Sequence, residues 1–345
     1  MKEQYRIPAD QATKWGVSLL TKCNLSEQEA ATVVKAMITS NLRGVDTHGL
    51  ILIQHYSRRF TTIKFRPIEV VQESETTCLI DAGDNYGMLA ASIAMEKAIG
   101  KAQSHGCGVV SVRNSNHFGA AACYSLAAAE KGMLGITTTS GGSVIPPWGG
   151  KKAFLGNNPI SIAAPGNEFP IILDLALSVV ANQRIVKYIR EGLPIPEGWV
   201  FDSEGNPTTD HQAAQKGMLV PLGGYKGVCL SVMMDLLCGV LSNTGFPDAS
   251  VPNPVYDKAQ RVAHFFMAID VQRFLPLDVF KSLVESYSKK FHAIPRREGV
   301  DRLYMPGEIE YETYCDRIKN GLVFSQAEMD QLNEAADQFK VAHLG

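Results

Sequence analysis

The sequence predicts an α/β fold in which a central sheet is covered on both faces by helices. Three observations carry that reading. From about Cys78 onward, short apolar runs of strand length interleave with Ala-rich helical stretches, the pattern of a layered α/β domain. Before that point, and again at the carboxyl end, the periodicity is helical and opens on capping boxes. Finally, 345 residues at 45% apolar and 20% charged supply a sizeable core for one large or two modest domains.

The elements follow in order. Ser26-Glu27-Gln28-Glu29 reads as a capping box, with Ala31, Val34, Met37 and Ile38 on one helical face and Gly44 as the stop. Val45 to Gly49 is then a short turn, and Leu50, Ile53, Tyr56 and Phe60 mark the next helix. Gly87 to Ser104 and Ala120 to Lys131 are Ala-rich helices, with Gly108 to Val112 a buried strand between them. Leu134 to Thr139, Pro159 to Ala164, Ile171 to Ala176 and Val262 to Ile269 have strand length. Ser178 to Arg190, Gly227 to Leu241 and Asp278 to Ser288 read as helices, and Ser325 to Glu328 caps a last one ending near Phe339. Gly141 to Gly150 and Leu193 to Thr209 read as two long loops, uncommon in a compact domain unless they bind something.

Composition excludes several classes. Thirty-three basic against 35 acidic residues give a net charge of −2, without the basic excess of a nucleic-acid binder. The longest apolar run, Gly227 to Leu241, is interrupted by Asp235 and falls short of the roughly 20 residues of a membrane span. No apolar signal block follows Met1, so the expected location is cytoplasmic, with neither nucleic acid nor membrane as partner. The seven cysteines are scattered with no Cys-x-x-Cys pair and read as structural; no metal is expected. Gly-x-Gly-x-x-Gly, the P-loop, His-Glu-x-x-His and Gly-x-Ser-x-Gly are all missing.

Two histidines stand out by context. His48 follows a helix stop, flanked by Thr47 and Gly49 with Arg43 and Asp46 nearby; an imidazole so placed exchanges protons near neutral pH. His117 lies between a buried strand and an Ala-rich helix, at the strand end where α/β proteins bind ligands. A capping or surface role is the plain alternative for either. Lys226, in Gly223-Gly224-Tyr225-Lys226-Gly227, puts a charge at a helix start or is a solvated surface lysine. Asp174, in an apolar strand, finds a partner in a site or caps the next helix. Leu155 to Pro159 offers amides to a ligand or is simply a turn.

Taken in register, Arg43 to Gly49, Asn116-His117, Pro146 to Gly150, Gly156 to Pro159, Asp174 to Ala176, Pro194 to Trp199, Gly223 to Gly227 and Pro306 to Glu308 resemble the malate/L-lactate dehydrogenase family of non-Rossmann oxidoreductases. The family includes sulfolactate, ureidoglycolate and diketogulonate oxidoreductases and piperideine-2-carboxylate reductases. The resemblance implies a three-layer α/β/α fold with a mixed central sheet, like that of L-sulfolactate dehydrogenase, and a homodimer. It divides the chain into a mainly helical dimerisation and substrate part (1–75 and 300–345) and an α/β cofactor-binding part (76–299). NAD or NADP is the implied cofactor, and the reaction is hydride exchange with a 2-hydroxy or 2-oxo acid.

By the same resemblance, His48 is the general acid/base, with Thr47 and His117 beside it. Asn116, His117, Phe118, Gly119, Ala120, Asp174, Leu175, Ala176, Lys226, Pro306, Gly307 and Glu308 line the dinucleotide, while Arg43, Leu52 and Asn157 face the substrate. Three positions depart from the family pattern. Thr47 stands where many members have serine, and Leu52 where many have a carboxylate-clamping arginine. Arg184 replaces the acidic residue of the imino-acid reductases. Loss of the clamp leaves Arg43 or Arg184 as alternative anchors, or a more apolar substrate. Reduction of a cyclic 2-imino acid is the enzymatic alternative, and dinucleotide binding without turnover the alternative of another class.

Overall fold

The computed structural model describes residues 4–245 and 260–345. The chain opens with strand β1 (Gln4–Ile7) and helices α1 (Ala9–Leu20), α2 (Glu27–Leu42) and α3 (Ile53–Thr62). Strands β2 (Glu69–Glu73) and β3 (Thr77–Asp81), helix α4 (Gly87–His105) and strand β4 (Cys107–Ser115) follow. Next come α5 (Ala122–Glu130), β5 (Met133–Thr139), β6 (Ile160–Ala164), β7 (Ile171–Leu175) and α6 (Asn182–Arg190). A small three-stranded sheet of β8 (Val200–Phe201), β9 (Pro207–Thr208) and β10 (Met218–Leu219) encloses α7 (His211–Gln215). The chain then runs through α8 (Tyr225–Asp235), β11 (Val262–Asp270), α9 (Leu277–His292), α10 (Glu308–Asn320), β12 (Leu322–Ser325) and α11 (Gln326–Phe339).

Both expected capping boxes are made. The Ser26 hydroxyl accepts from the Glu29 N–H while the Glu29 carboxylate accepts from the Ser26 N–H, and Ser325 and Glu328 repeat the arrangement. Each satisfies two donors that a helix start would otherwise leave unpaired. The two chain ends share one core: Trp15, Leu19, Met37, Leu50, Ile53 and Phe60 pack with Leu322, Phe324, Leu332 and Ala336. Antiparallel pairing of β1 with β12 closes it.

The main sheet has the order β2-β3-β4-β11-β5-β6-β7 and is mixed, with β3 and β4 parallel and the other pairs antiparallel. Period-2 alternation on β11 builds three layers. Phe266 and Ala268 join the core beneath α4 and α5, while Ala263 and Phe265 meet Leu237 and Cys238, just beyond α8, on the opposite face. The Ala-rich helices lie unusually close to the strands. A Cβ on Gly108 would stand 2.0 Å from the Ala98 carbonyl oxygen, so β4 tolerates nothing larger there.

Because β11 runs antiparallel to both β4 and β5, those two strands point the same way, and so does β7. The carboxyl ends of β4 and β7, which lead into Asn116-His117 and Asp174-Leu175-Ala176, therefore lie along one edge of the sheet. That edge is where α/β sheets bind ligands.

Several features differ from what the sequence predicts. It predicts no element at β1, β2, β3, α7, β10, α10 or β12, which are short or, in α10, rich in charge. The Leu193 to Thr209 loop contains β8 and β9. The helix expected over Gly227 to Leu241 is α-helical to Asp235 and continues as a π-helical turn, Leu236–Val240. Two cysteines, Cys229 and Cys315, are exposed rather than in the core.

Candidate active site

His48 sits in a 3₁₀ turn, Asp46–His48, directly after α2, with Gly44 at φ 78° ending the helix. This turn is clamped from three sides. The Asn41 side chain accepts from the Leu50 N–H at 2.7 Å and donates to Asp46 at 2.7 Å. A Cβ on Gly49 would come within 2.3 Å of the same amide, so glycine lets the turn close over Asn41. From α10, Arg317 grips Asp46 with both guanidinium nitrogens, at 2.6 and 2.9 Å, a bidentate pair that fixes orientation as well as distance.

The His48 ring is half-buried, its Nδ1 lies 3.0 Å from the Thr47 hydroxyl, and burial lowers its pKa. The His117 ring stacks 5.6 Å from it at an interplanar angle of 28°. On the far side of His117, the buried Tyr56 hydroxyl lies 2.5 Å from Nδ1. Burial and the neighbouring histidines push His117 down to about 3.

Behind the imidazoles the backbone is held rigidly. The buried Asn116 side chain donates to the carbonyls of Asp84 and Asn85 at 2.7 and 2.9 Å and accepts from Arg59. The His117 N–H donates to the Gln260 side chain at 2.9 Å. Phe118 stacks on His264, whose nitrogens meet Thr139 and Ser115 at 2.7 and 2.8 Å. His264 is thus a satisfied core histidine.

Asp174, at the end of β7, accepts from the Ala122 N–H at 3.1 Å, at the start of α5. Its side chain is exposed to solvent, yet crowding protein raises its pKa to about 6 through desolvation. Arg43 is buried close enough for electrostatic contact with Asp174, and donates to the Gly307 carbonyl at 3.4 Å. The Pro306 carbonyl accepts from Ile172 on β7.

Farther along the same edge, the Leu177 N–H donates to the Asn157 carbonyl at 2.7 Å and the Leu222 N–H to the Leu177 carbonyl at 2.9 Å. Lys226 is exposed in the first turn of α8. Buried Asn158 ties this helix down, donating to Asp235 at 2.8 Å and to Ser231 at 2.9 Å. Leu175 and Ala176 are half-buried beside Asp174, and Gly119 and Ala120 are buried between His117 and α5.

Three residues take other positions. The Glu308 carboxylate is buried and engaged by His292, Arg302 and the Met305 N–H. Leu52 packs against the helical core. Arg184 is exposed on α6 with its guanidinium over the Trp199 ring. Sequence reading missed Asn41, Tyr56, Arg59, Gln260 and Arg317. Tyr56 was legible only as part of an apolar helix face, and Arg317 is 271 residues from its partner.

A family model described as malate/L-lactate dehydrogenase matches residues 7–333. The chain belongs to the malate/L-lactate dehydrogenase family. Among the relatives, a malate dehydrogenase from Pyrococcus horikoshii is 36% identical over 350 residues, covering 98% of this chain and 97% of the relative. A (2R)-3-sulfolactate dehydrogenase (NADP(+)) from Chromohalobacter salexigens is 31% identical, covering 96% and 98%. The solved malate dehydrogenase of Entamoeba histolytica superposes with a TM-score of 0.92 at 31% identity over 99% of both chains. As a member of the family the chain is an NAD(P)-dependent oxidoreductase.

Proposed function

We propose that this enzyme interconverts a 2-hydroxy acid and its 2-oxo acid, with His48 as the general acid/base. The observation that supports this most is the mobile-proton group itself: an imidazole in a clamped turn, stacked on a second imidazole. The residues suit a dinucleotide at several points. Asp174 offers a solvent-reachable carboxylate for a sugar hydroxyl. α8 opens with Lys226 behind Gly223, where an added Cβ would meet nothing within 4 Å; free amides and a cation there suit a phosphate.

The remaining dinucleotide contacts would come from the Asn116 to Ala120 backbone, Leu175-Ala176 and Pro306-Gly307, with Glu308 bracing the last segment. Bound NAD(P) supplies the acceptor or donor of the hydride at the substrate carbon. In the oxidative direction neutral His48 takes the hydroxyl proton. In reduction its protonated form returns a proton to the oxygen. Thr47 steadies the ring through Nδ1. Arg43 and Asn157 are the polar groups we assign to the substrate, since Leu52 offers no charge.

We further propose a homodimer. Leu230, Met233, Leu236, Val240 and Leu241, on α8 and the turn beyond it, are all exposed, a contiguous apolar face of the kind that marks an interface. Among the described residues no helix is long and apolar enough to cross a membrane.

The decisive experiment is a steady-state panel of 2-oxo acids and cyclic 2-imino acids with NADH and with NADPH. Turnover of a 2-oxo acid is the expected result. Turnover confined to imines would replace this reading with imine reduction, and cofactor binding without any turnover would leave only a binding protein.

A further inference from the structure

The two stacked histidines have partners of different kinds, and the difference dictates what each ring can do. Around His117 Nδ1 stand two groups, the Tyr56 hydroxyl at 2.5 Å and the Gly119 backbone N–H at 3.4 Å. A backbone N–H only donates. With that N–H aimed at it, Nδ1 must be the bare, accepting nitrogen, and Tyr56, kept protonated by full burial, donates as well. The ring proton of neutral His117 then resides on Nε2. Nε2 has no hydrogen-bond partner among the described residues and is not sealed from solvent, so it is open to a ligand.

His48 differs. Among the described residues its Nδ1 meets the Thr47 hydroxyl alone, which accepts from a protonated nitrogen and donates to a bare one equally well. Changing the charge of His48 costs no hydrogen bond. Protonating His117 at Nδ1 would set a new N–H against the Gly119 N–H.

We infer that the two imidazoles divide the work: His48 carries the proton, while His117, locked by Tyr56 and Gly119 as the Nε2–H tautomer, is a permanently neutral hydrogen-bond donor to the substrate oxygen. Tyr56 is accordingly a positioning residue. With ring centroids 5.6 Å apart, the two imidazoles are close enough to serve one bound substrate, each hydrogen-bonding in its own ring plane. As the substrate oxygen gains charge in reduction, His117 stabilises it and His48 supplies the proton; no proton passes through His117. The titratable and charged neighbours agree with a neutral ring. Among the described residues, the charged and titratable groups that bear on His117 are His48, His55 and His264, with Arg59 beside Tyr56, and none of these is a carboxylate that would stabilise an imidazolium.

This inference deepens the proposed function and rests on it for the identity of the oxygen. The tautomer itself is read without substrate, from long-range ¹H–¹⁵N spectra of the full-length protein with ¹⁵N-labelled histidine, assigned with H48Q and H117Q. The expected spectrum shows His117 with protonated Nε2 and bare Nδ1 throughout about pH 5 to 8, while of these two rings it is His48 that changes state as the pH falls. In Y56F the 3.4 Å Gly119 contact is left to hold Nδ1 alone in place of the 2.5 Å Tyr56 bond, so the preference for the Nε2–H tautomer should weaken, and kcat should drop about tenfold, the scale of one hydrogen bond, with the KM for the nicotinamide unchanged.

H117Q, which keeps an amide donor, should retain the wild-type pH profile with reduced kcat, whereas H48Q should lose the profile. Three results would overturn the inference: a His117 ring protonated at Nδ1, a His117 ring that titrates in this range, or a pH limb that disappears in H117Q and survives in H48Q. If no hydroxy or oxo acid is turned over, the functional reading fails, and the spectra still decide the tautomer.

Discussion

At the residue scale, desolvation by the surrounding protein shifts His48 and the solvent-reachable Asp174 in opposite directions. Desolvation disfavours the charged form of each, so the His48 pKa falls and that of Asp174 rises to about 6. For His48 the sign works as follows. The neutral base persists to lower pH than in a free histidine, so the acid limb of kcat/KM for oxidation should lie below about pH 6.5. Reduction needs the protonated form and should slow as pH rises through the same limb. A limb above that value in the oxidative pH profile would contradict burial as the controlling influence. His48→Ala should cut kcat at least about a hundredfold, the low end of acid–base contributions, and leave the cofactor Kd from fluorescence titration nearly unchanged.

Asp174 carries a stability consequence. Its folded value lies above the ordinary 3.8, so the native state binds more protons, and stability falls as pH rises between about 4 and 6. Asp174→Asn should therefore raise Tm above pH 6 in calorimetry while weakening cofactor binding. A lowered Tm would show that the Ala122 cap depends on the charge.

At the element scale, the site depends on parts of the chain that local sequence does not connect. α2 ends at Leu42, and the turn that follows is held by Arg317 from α10. Arg317→Ala removes a charged bidentate partner from Asp46 and should cost about 1–3 kcal/mol in urea unfolding, with kcat falling because the His48 turn loosens. Unchanged kcat with lowered stability would make the clamp purely structural. α2, its capping box and the Gly44 stop were legible because caps and periodicity are local signals. α10 was not. Glu312, Asp316 and Lys319 are exposed on it and Glu308 is buried in ion pairs, and a helix so rich in charge shows little apolar period.

At the scale of the whole molecule, insertion of β11 between β4 and β5 brings three carboxyl-terminal strand ends to one edge of the sheet. The exposed apolar face around α8 tests the proposed dimer. Met233→Glu should shift sedimentation from dimer to monomer without loss of helix content by circular dichroism. A monomeric wild type would refute the interface. The Ala-rich surfaces of α4 and α5 are a fold-level requirement, since Gly108 and its neighbours leave no room for larger packing.

The alternation of strands and helices, both capping boxes, the glycine-bordered turn that carries His48 and the motif set that points to the family are all written in the amino-acid order alone. Each of these is encoded within a few residues, where backbone preferences and capping chemistry act. Only the tertiary structure decided that Tyr56 meets His117, that Arg317 holds Asp46, and that Glu308 turns to His292 and Arg302. Those contacts join side chains brought together by folding, and no local periodicity reveals which hydroxyl or guanidinium will arrive beside a given ring.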